Sequence, residues 1–328
     1  MLTVVTGASG HVGANLVRAL LQKGRTVRAV VREDTRSIDG LEVEKVKADV
    51  LDPDSLEKAF SGAEIVYHCA ANIVVAGKVP EPIIRVNTHG PMNVAEAALK
   101  NNVRRLIHFS SIHAISEYPL DEPVKESNGL VKDHERALPY SRSKAIGQHN
   151  VLGFVEKGLD VVVVNPSSVI GRHDYKLSHM GETIRDMAAG RLPMLVPGGY
   201  DFVDVRDLVE TAIAAETKGR TGEAYLASGH YASVRELAEL VHQGGGKKPP
   251  AMTCPLWVGY MASPFAVAWG TMLRKRPRFC AASLQVLQSN ARTDNTKART
   301  ELGHEPRPLA ETAADTVAWW RGAREKRE

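Results

Sequence analysis

Short apolar runs rich in β-branched residues alternate with helical patterns over the first two-thirds of the chain. In the first helical pattern Val12, Leu16, Ala19 and Leu20 recur on one face, and Gly24 gives a stop signal. Several apolar runs lack polar alternation, which is typical of strands covered on both faces. Such strands are predicted at residues 2–7, 26–32, 42–49, 63–71, 105–111 and 160–168. Strand, helix and strand in this order predict an α/β fold with a doubly wound parallel sheet.

The alternation breaks down after residue 170, where glycine and proline interrupt the pattern. We therefore assign residues 1–170 to the sheet domain, and we expect the chain to return to it at about 201–229. A smaller, discontinuous C-terminal lobe that binds the substrate is predicted from 171–200 and 230–320. The basic tail comprises 321–328.

One stretch of the second lobe, 251–273, contains no charged residue and is flanked by Lys247, Lys248 and the basic segment 274–278. Its length suffices to cross a bilayer, but prolines and glycines interrupt it. A helix that covers a pocket is the favoured interpretation. Contact with a membrane surface through 251–278 and a spanning helix stay open as alternatives.

Composition sets further limits on the class of protein. The chain has 328 residues and a net charge of +4, which is enough length for a large core and too little charge to indicate a nucleic-acid partner. Cys69, Cys254 and Cys280 are scattered, so neither a disulfide framework nor a zinc or other metal site is suggested. The chain enters a strand pattern at once, so we expect no secretion signal and a cytoplasmic location.

The first predicted strand is followed by "TGASGHVG", with Gly7, Gly10 and Gly13 at the mouth of the first helix. A tight turn needs residues without a Cβ there, and the free N–H groups of a helix N-terminus attract phosphate. Residues 1–170 are thus predicted to form a Rossmann-type dinucleotide-binding domain, although the spacing is GxxGxxG and not GxGxxG.

The end of the second strand bears on the choice of coenzyme. Arg32 follows Val31 there, and an arginine at this position suits the 2′-phosphate of NADP. Glu33 and Asp34 come next and would suit the ribose of NAD, so NADP(H) is preferred and NAD(H) stays open. Arg36 is a further candidate for the phosphate.

Tyr140 and Lys144 lie four residues apart in "LPYSRSKAIG", which places them on the same face of a helix. This spacing permits a catalytic pair, and it equally suits a solvated surface helix.

The chain resembles the extended short-chain dehydrogenase/reductases, also called NAD-dependent epimerase/dehydratases. The resemblance rests on "TGASGHVG", "ADVLDPDSL", "VYHCAA", "RVNTHGPMNVAEAA", "HFSSIHA", "YSRSK", "NPSSVIG" and "FVDVRDLVE", in the order of that family. Within it, the arginine after the second strand, "NPSSVIG" and "KRPRF" look most like the dihydroflavonol-reductase-like and 3β-hydroxysteroid-dehydrogenase-like branches.

The resemblance implies a catalytic group formed by Ser111, Tyr140 and Lys144. Tyr140 would exchange a proton with the substrate oxygen, and a cation nearby lowers the pKa of a phenol. Lys144 would supply that charge and bind the nicotinamide ribose, while Ser111 would polarise the substrate carbonyl. Ser110 is the competing serine.

The resemblance also implies further contacts. Asn72 and His113 are assigned to the substrate pocket, with a hydrogen-bonded histidine as the alternative for His113. A helix N-cap is the alternative for Asp49, and a helix cap for Asn87. The predicted coenzyme contacts are Gly7, Ser9, Gly10, His11, Val12, Gly13, Arg32, Asp49, Val50, Ala70, Ala71, Asn87, Tyr140, Lys144, Pro166 and Ser168.

These observations favour an NADP-dependent oxidoreductase that interconverts a secondary alcohol and a ketone on a lipophilic small molecule. A nucleotide-sugar epimerase or dehydratase is the first alternative, and a non-catalytic dinucleotide-sensing regulator is the second. The resemblance implies a homodimer that pairs through the helix carrying Tyr140.

Overall fold

The computed structural model describes residues 1–74, 79–272, 280–288 and 292–325. The described strands are β1 (Leu2–Thr6), β2 (Thr26–Val31), β3 (Glu44–Lys47), β4 (Ile65–His68), β5 (Arg105–Phe109), β6 (Val161–Pro166), β7 (Ser168–Ile170), β8 (Gly199–Asp204), β9 (Ala224–Ala227) and β10 (His230–Ser233). Seven of them form one sheet in the order β3, β2, β1, β4, β5, β6, β9. Every neighbouring pair in this sheet is parallel, so the predicted fold class is confirmed.

Helices cover both faces of the sheet. The described helices are α1 (His11–Gln22), α2 (Pro53–Phe60), α3 (Glu81–Lys100), α4 (Pro139–Leu152), α5 (His179–Ala188), α6 (Val205–Lys218), α7 (Val234–Gln243), α8 (Leu256–Met272), α9 (Ala281–Val286) and α10 (Leu309–Glu325). On one face α1 and α6 pack through residues such as Leu16 and Leu208, and on the other α2, α3 and α4 pack through Phe60, Val94 and Val151. Because both faces are covered, all six residues of β6 are buried.

A second, smaller sheet has the order β10, β8, β7, and a separate core lies against it. In this core Ile184 of α5, Leu237 of α7 and Val317 of α10 pack with Phe202 of β8. The stretch predicted to return to the large sheet divides between the two sheets, since β8 joins the small one while β9 pairs with β6.

Helix α8 carries most of the uncharged stretch of the second lobe. None of the helices in the described residues is long and apolar enough to cross a membrane. One side of α8 is packed, since Gly259 lies against Leu284 and Ser263 is buried. The basic segment 274–278 falls outside the described residues.

Candidate active site

The strand order reverses between β1 and β4, and in open parallel sheets ligands bind at such a point, outside the carboxyl ends of the strands. Gly7 follows β1 with a φ of +66°, and a Cβ on it would lie 2.6 Å from the backbone nitrogen of Ala70, which follows β4. A Cβ on Gly13 would lie 2.2 Å from the carbonyl oxygen of Gly7. The turn therefore keeps its shape only with glycine at these two positions.

The same turn leads into α1, which begins at His11 with Gly10 as its N-cap and without a side-chain cap. The first N–H groups of the helix are thus not satisfied by a capping side chain and point towards the crevice. A glycine cradle joined to such a helix N-terminus fits the pyrophosphate of a dinucleotide. Ser9 lies in this turn, and Val12 lies in the first turn of α1.

The residues after β2 and β3 define the adenosine end of the crevice. Arg32 is exposed directly after the last residue of β2, while the Asp34 carboxylate accepts two hydrogen bonds from the Arg36 guanidinium at 2.9 and 2.8 Å. Asp49 accepts from the backbone N–H of Leu51 at 2.9 Å. The N-cap role predicted for the Asp-rich turn falls on Asp52, whose side chain accepts from the backbone N–H of Ser55, and Asp49 lies before this cap.

Ser111, Tyr140 and Lys144 come together at the carboxyl end of β5. Ser111 lies two residues beyond the end of β5, and α4 presents Tyr140 and Lys144; the three residues are 7%, 8% and 3% exposed. The Ser111 hydroxyl lies close enough to the Tyr140 phenol to lower its pKa. The Lys144 amine donates to the carbonyl oxygen of Phe109 at 3.0 Å, which fixes the amine against the end of the strand.

Burial sets the charge of this group. It raises the pKa of Tyr140 to about 12, and the nearby Ser111 hydroxyl offsets part of that rise. Burial also lowers the pKa of Lys144 to about 8. At neutral pH, therefore, the phenol holds its proton and the lysine is still largely a cation. This combination suits the donation of a proton to a substrate oxygen.

The structure separates the two candidate serines. Ser111 Oγ faces Tyr140 and also accepts from the backbone N–H of His113 at 3.2 Å. Ser110 Oγ is buried without a hydrogen-bond partner among the described residues. The geometry thus favours Ser111 as the hydroxyl that acts with Tyr140.

A chain of amides and hydroxyls supports the helix that carries Tyr140. Asn87 of α3 bonds to both backbone groups of Asn72 at 2.9 Å, and it donates to Ser143 Oγ at 3.1 Å. Ser143 in turn donates to the carbonyl oxygen of Tyr140 at 2.7 Å. Asn87 is therefore a bridge between α3 and α4, not a helix cap. Sequence reasoning missed Ser143, since a serine on a helix carries no signal of its partner on another helix.

A second buried amide holds the serine from below. The Asn165 side chain of β6 donates to the carbonyl oxygen of Ser111 and to Gln148 Oε1, both at 2.8 Å. Asn165 and Gln148 were also missed, because only the pairing of β5 with β6 brings them to the site.

His113 lies beside Tyr140. Its ring meets that of Tyr140 edge to face at a centroid distance of 6.2 Å, and burial lowers its pKa to about 4. His113 is thus a neutral side chain that packs next to the Tyr140 phenol. Asn72 is half-buried and is held there through its backbone by Asn87.

Three further residues lie beneath Lys144. His68 of β4 and His108 of β5 stack at a centroid distance of 5.1 Å and are almost fully buried. Burial lowers the pKa of both, to about 3 for His68, and the Lys144 cation adds to the effect. Burial raises the pKa of the neighbouring Cys69 thiol, so Cys69 is not activated as a nucleophile.

The remaining predicted contacts surround the same crevice. Ala70 touches the glycine turn as described above, Ala71 is exposed, and Val50 is buried against Gly90 of α3. Pro166 ends β6 and Ser168 begins β7, so both lie where the chain leaves the large sheet.

A dinucleotide cradle beside a buried Ser, Tyr and Lys is the arrangement of an oxidoreductase of the short-chain type. Comparison with known proteins agrees with this class. The sequence model of the NAD dependent epimerase/dehydratase family matches residues 3–228 of the chain. The chain belongs to this family, whose members are NAD(P)-dependent, and it is thus an extended short-chain dehydrogenase/reductase, as the sequence motifs predict.

Relatives and solved structures similar to the chain extend over nearly all of it. It is 36% identical to sterol demethylase protein B of Methylococcus capsulatus over 98% of both chains. It is 29% identical to a putative dihydroflavonol 4-reductase of Synechocystis, over 96% of this chain and 93% of that one. Its structure is similar to the crystal structure of gox2253, with a TM-score of 0.85, 31% identity and 98% of both chains covered.

Proposed function

We propose that the protein is an NADP-dependent oxidoreductase that interconverts a ketone and a secondary alcohol on a lipophilic small molecule. The observation that carries the proposal is the burial of Ser111, Tyr140 and Lys144 together at the carboxyl end of β5, with Lys144 held by the Phe109 carbonyl, beside the glycine cradle. The bound coenzyme supplies the hydride in reduction and accepts it in oxidation.

The residues of this chain manage the proton and the position of the substrate. Ser111 donates a hydrogen bond to the substrate oxygen and polarises the carbonyl. Tyr140, whose pKa is raised to about 12, gives its proton to that oxygen as the alcohol forms. The Lys144 cation then stabilises the phenolate that is left, until solvent returns the proton.

We propose NADP and not NAD as the coenzyme because of the charged residues that follow β2. The Asp34 carboxylate is the group that would bind a free 2′-hydroxyl, but Arg36 already occupies both of its oxygens. Arg32 is exposed at the strand end, where a guanidinium suits a 2′-phosphate.

The lipophilic substrate is proposed from the second lobe and from the relatives. Residues 251–273 carry no charge, and the names of the two relatives refer to a sterol and to a dihydroflavonol. Both are ring systems with few charged groups, so we expect substrates of this kind to be favoured over nucleotide sugars.

The test is a panel of ring ketones of the steroid and flavonoid type, assayed by NADPH consumption. We expect turnover with at least one of them, and Tyr140→Phe should abolish turnover while NADPH still binds. A protein that consumes no NADPH, retains its coenzyme through purification and epimerises a UDP-sugar would instead be an epimerase. One that binds NADPH and turns over neither class would be a sensor without chemistry.

We also propose that α8 rests on a membrane surface. Trp257, Met261 and Phe265 follow each other at four-residue spacing and are 66%, 68% and 77% exposed, so they form one apolar face. Lys247 and Lys248 before the helix and the basic segment 274–278 after it suit anionic lipid.

Flotation with vesicles of phosphatidylcholine and phosphatidylglycerol tests this contact. We expect the protein to float, the triple serine variant of Trp257, Met261 and Phe265 to remain in the dense fraction, and Leu120→Ser, on an exposed residue elsewhere, to behave as the unsubstituted protein. Flotation of the triple variant would contradict the proposal. It would also be contradicted if the unsubstituted protein sedimented as a dimer and the triple variant as a monomer, because the apolar face would then be a contact between two copies of the chain.

The homodimer and the cytoplasmic location stay predictions. Helix α4 leaves Ile146 49% exposed, and a groove between α3 and α4 is lined by Met92, Leu99 and Phe154. Sedimentation equilibrium of the protein and of an Ile146→Glu variant would test pairing through this surface.

A further inference from the structure

A lysine of the second lobe reaches the adenosine end of the coenzyme crevice. Lys176 lies between β7 and α5, and its amine donates a hydrogen bond to Ser9 Oγ in the glycine turn at 2.8 Å. The same amine lies 3.9 Å from the Asp34 carboxylate. The contact with Ser9 spans 167 positions in sequence, so only the tertiary structure brings the two residues together.

The segment 171–178 that carries Lys176, here called the crossing loop, is held on both sides of it. Before Lys176, the carbonyl oxygen of Arg172 accepts from the Asn15 side chain of α1 at 2.9 Å. After it, the Ser178 hydroxyl and backbone N–H both donate to the buried Asp174 carboxylate at 2.6 to 3.0 Å. The loop is thus anchored to α1 and folded on itself.

Aromatic packing fixes the residue next to Lys176. The Tyr175 ring lies 5.7 Å from the Arg18 guanidinium and 5.2 Å from the Trp319 ring of α10. His173 and Leu177 adopt φ values of +61° and +54°, a conformation that L-residues rarely take and that persists only where the surroundings impose it. The loop therefore presents Lys176 to the glycine turn in a defined position.

The charges around Lys176 favour an anion. Burial lowers the pKa of Lys176, and the positive charges of Arg32 and Arg36 add to this effect. The Asp34 carboxylate attracts Lys176, but Asp34 is already paired with Arg36, which holds the pKa of that carboxyl well below its usual range. Arg32, Arg36 and Lys176 are thus the cations at the predicted site of the 2′-phosphate. A single carboxylate, that of Asp34, is shared between Arg36 and Lys176.

We propose that Lys176 is a specificity-determining residue that binds the 2′-phosphate of NADP and so ties the crossing loop to the bound coenzyme. This inference rests on the proposed NADP dependence. Lys176, which comes from the substrate-binding lobe, would thus bind the 2′-phosphate together with Arg32 at the end of β2. Because the crossing loop leads directly into α5 of the second lobe, the phosphate would also help to set the position of that lobe.

Calorimetry with two coenzyme fragments, 2′,5′-ADP and 5′-AMP, which differ only in the 2′-phosphate, separates the parts of this proposal without any catalytic step. If the unsubstituted protein does not prefer 2′,5′-ADP, the proposed NADP dependence fails. If it does, we expect Lys176→Met to weaken 2′,5′-ADP about tenfold or more while 5′-AMP changes less than about twofold, since a charged hydrogen bond to phosphate is lost. Lys176→Arg should restore most of the preference.

An exposed lysine on another surface provides the matched control. Lys157 is exposed five residues after the end of α4, and Lys157→Met should leave the affinity for both fragments unchanged. Equal weakening of both fragments by Lys176→Met would assign Lys176 to the 5′-phosphate and overturn the specificity role. Unchanged affinity for 2′,5′-ADP would overturn the proposal outright. Thermal melts of each variant without ligand confirm that the fold is kept.

Discussion

The buried histidine pair beneath Lys144 makes the stability of this fold sensitive to mild acid. The pKa of both His68 and His108 lies below its ordinary value of 6.5, because burial disfavours the imidazolium and Lys144 is close. In the unfolded chain both rings protonate as the pH falls through about 6.5. The unfolded state then binds more protons than the folded one, so the free energy of unfolding falls as the pH falls below about 6.5, and for His68 it continues to fall to about pH 3.

The size of the loss follows from the same linkage. At pH 5.5, about one unit below the unfolded value, each neutral buried histidine lowers the free energy of unfolding by about 1.4 kcal/mol relative to high pH. The pair together accounts for about 2.8 kcal/mol. Both nitrogens of His108 lack a hydrogen-bond partner among the described residues, so a phenylalanine in its place loses no hydrogen bond.

Urea unfolding at pH 7.5 and at pH 5.5 tests this for the unsubstituted protein and for His108→Phe. We expect the variant to lose about 1.4 kcal/mol less between the two pH values, because one of the two proton-linked rings is absent. Other buried histidines contribute equally to both proteins and cancel in the difference. His134→Gln, which replaces an exposed ring, should behave as the unsubstituted protein. If His108→Phe and the unsubstituted protein lose the same free energy within about 0.5 kcal/mol, the reasoning is refuted.

Three further predictions concern the active-site helix. Because burial lowers the pKa of Lys144 to about 8, kcat/KM for ketone reduction should fall as the pH rises above about 8, and a flat profile from pH 6.5 to 9.5 would contradict this. A Cβ on Gly147 would lie 2.1 Å from the carbonyl oxygen of Asn87, so Gly147→Ala should lower the free energy of unfolding by about 1–3 kcal/mol in urea titrations. Gly153→Ala, whose Cβ would lie 3.5 Å from its nearest neighbour, is the control and should change stability by less than about 1 kcal/mol. Ser143→Ala removes the bridge from α3 and should reduce kcat about fivefold, with KM for the coenzyme unchanged in steady-state kinetics; an unchanged kcat would show that the bridge does not position the helix.

Much of the fold could be predicted because its signals are local. The apolar runs of β1, β5 and β6 are buried on both faces, and that requirement is visible in each run by itself. Element ends were less accurate, since β3 is limited to Glu44–Lys47, where the exposed edge of the sheet leaves three of four residues outside the core.

Local sequence patterns are sufficient to predict the parallel sheet, the glycine turn and the spacing of Tyr140 and Lys144, because strand burial, tight turns and helical periodicity act over a few residues. The choice between Ser110 and Ser111 depends on the packed structure, since both hydroxyls follow the same strand and differ in what faces them. The packed structure also brings Lys176 to Ser9 across 167 positions. Such contacts depend on how separate elements pack, and no local pattern in a single chain records that packing.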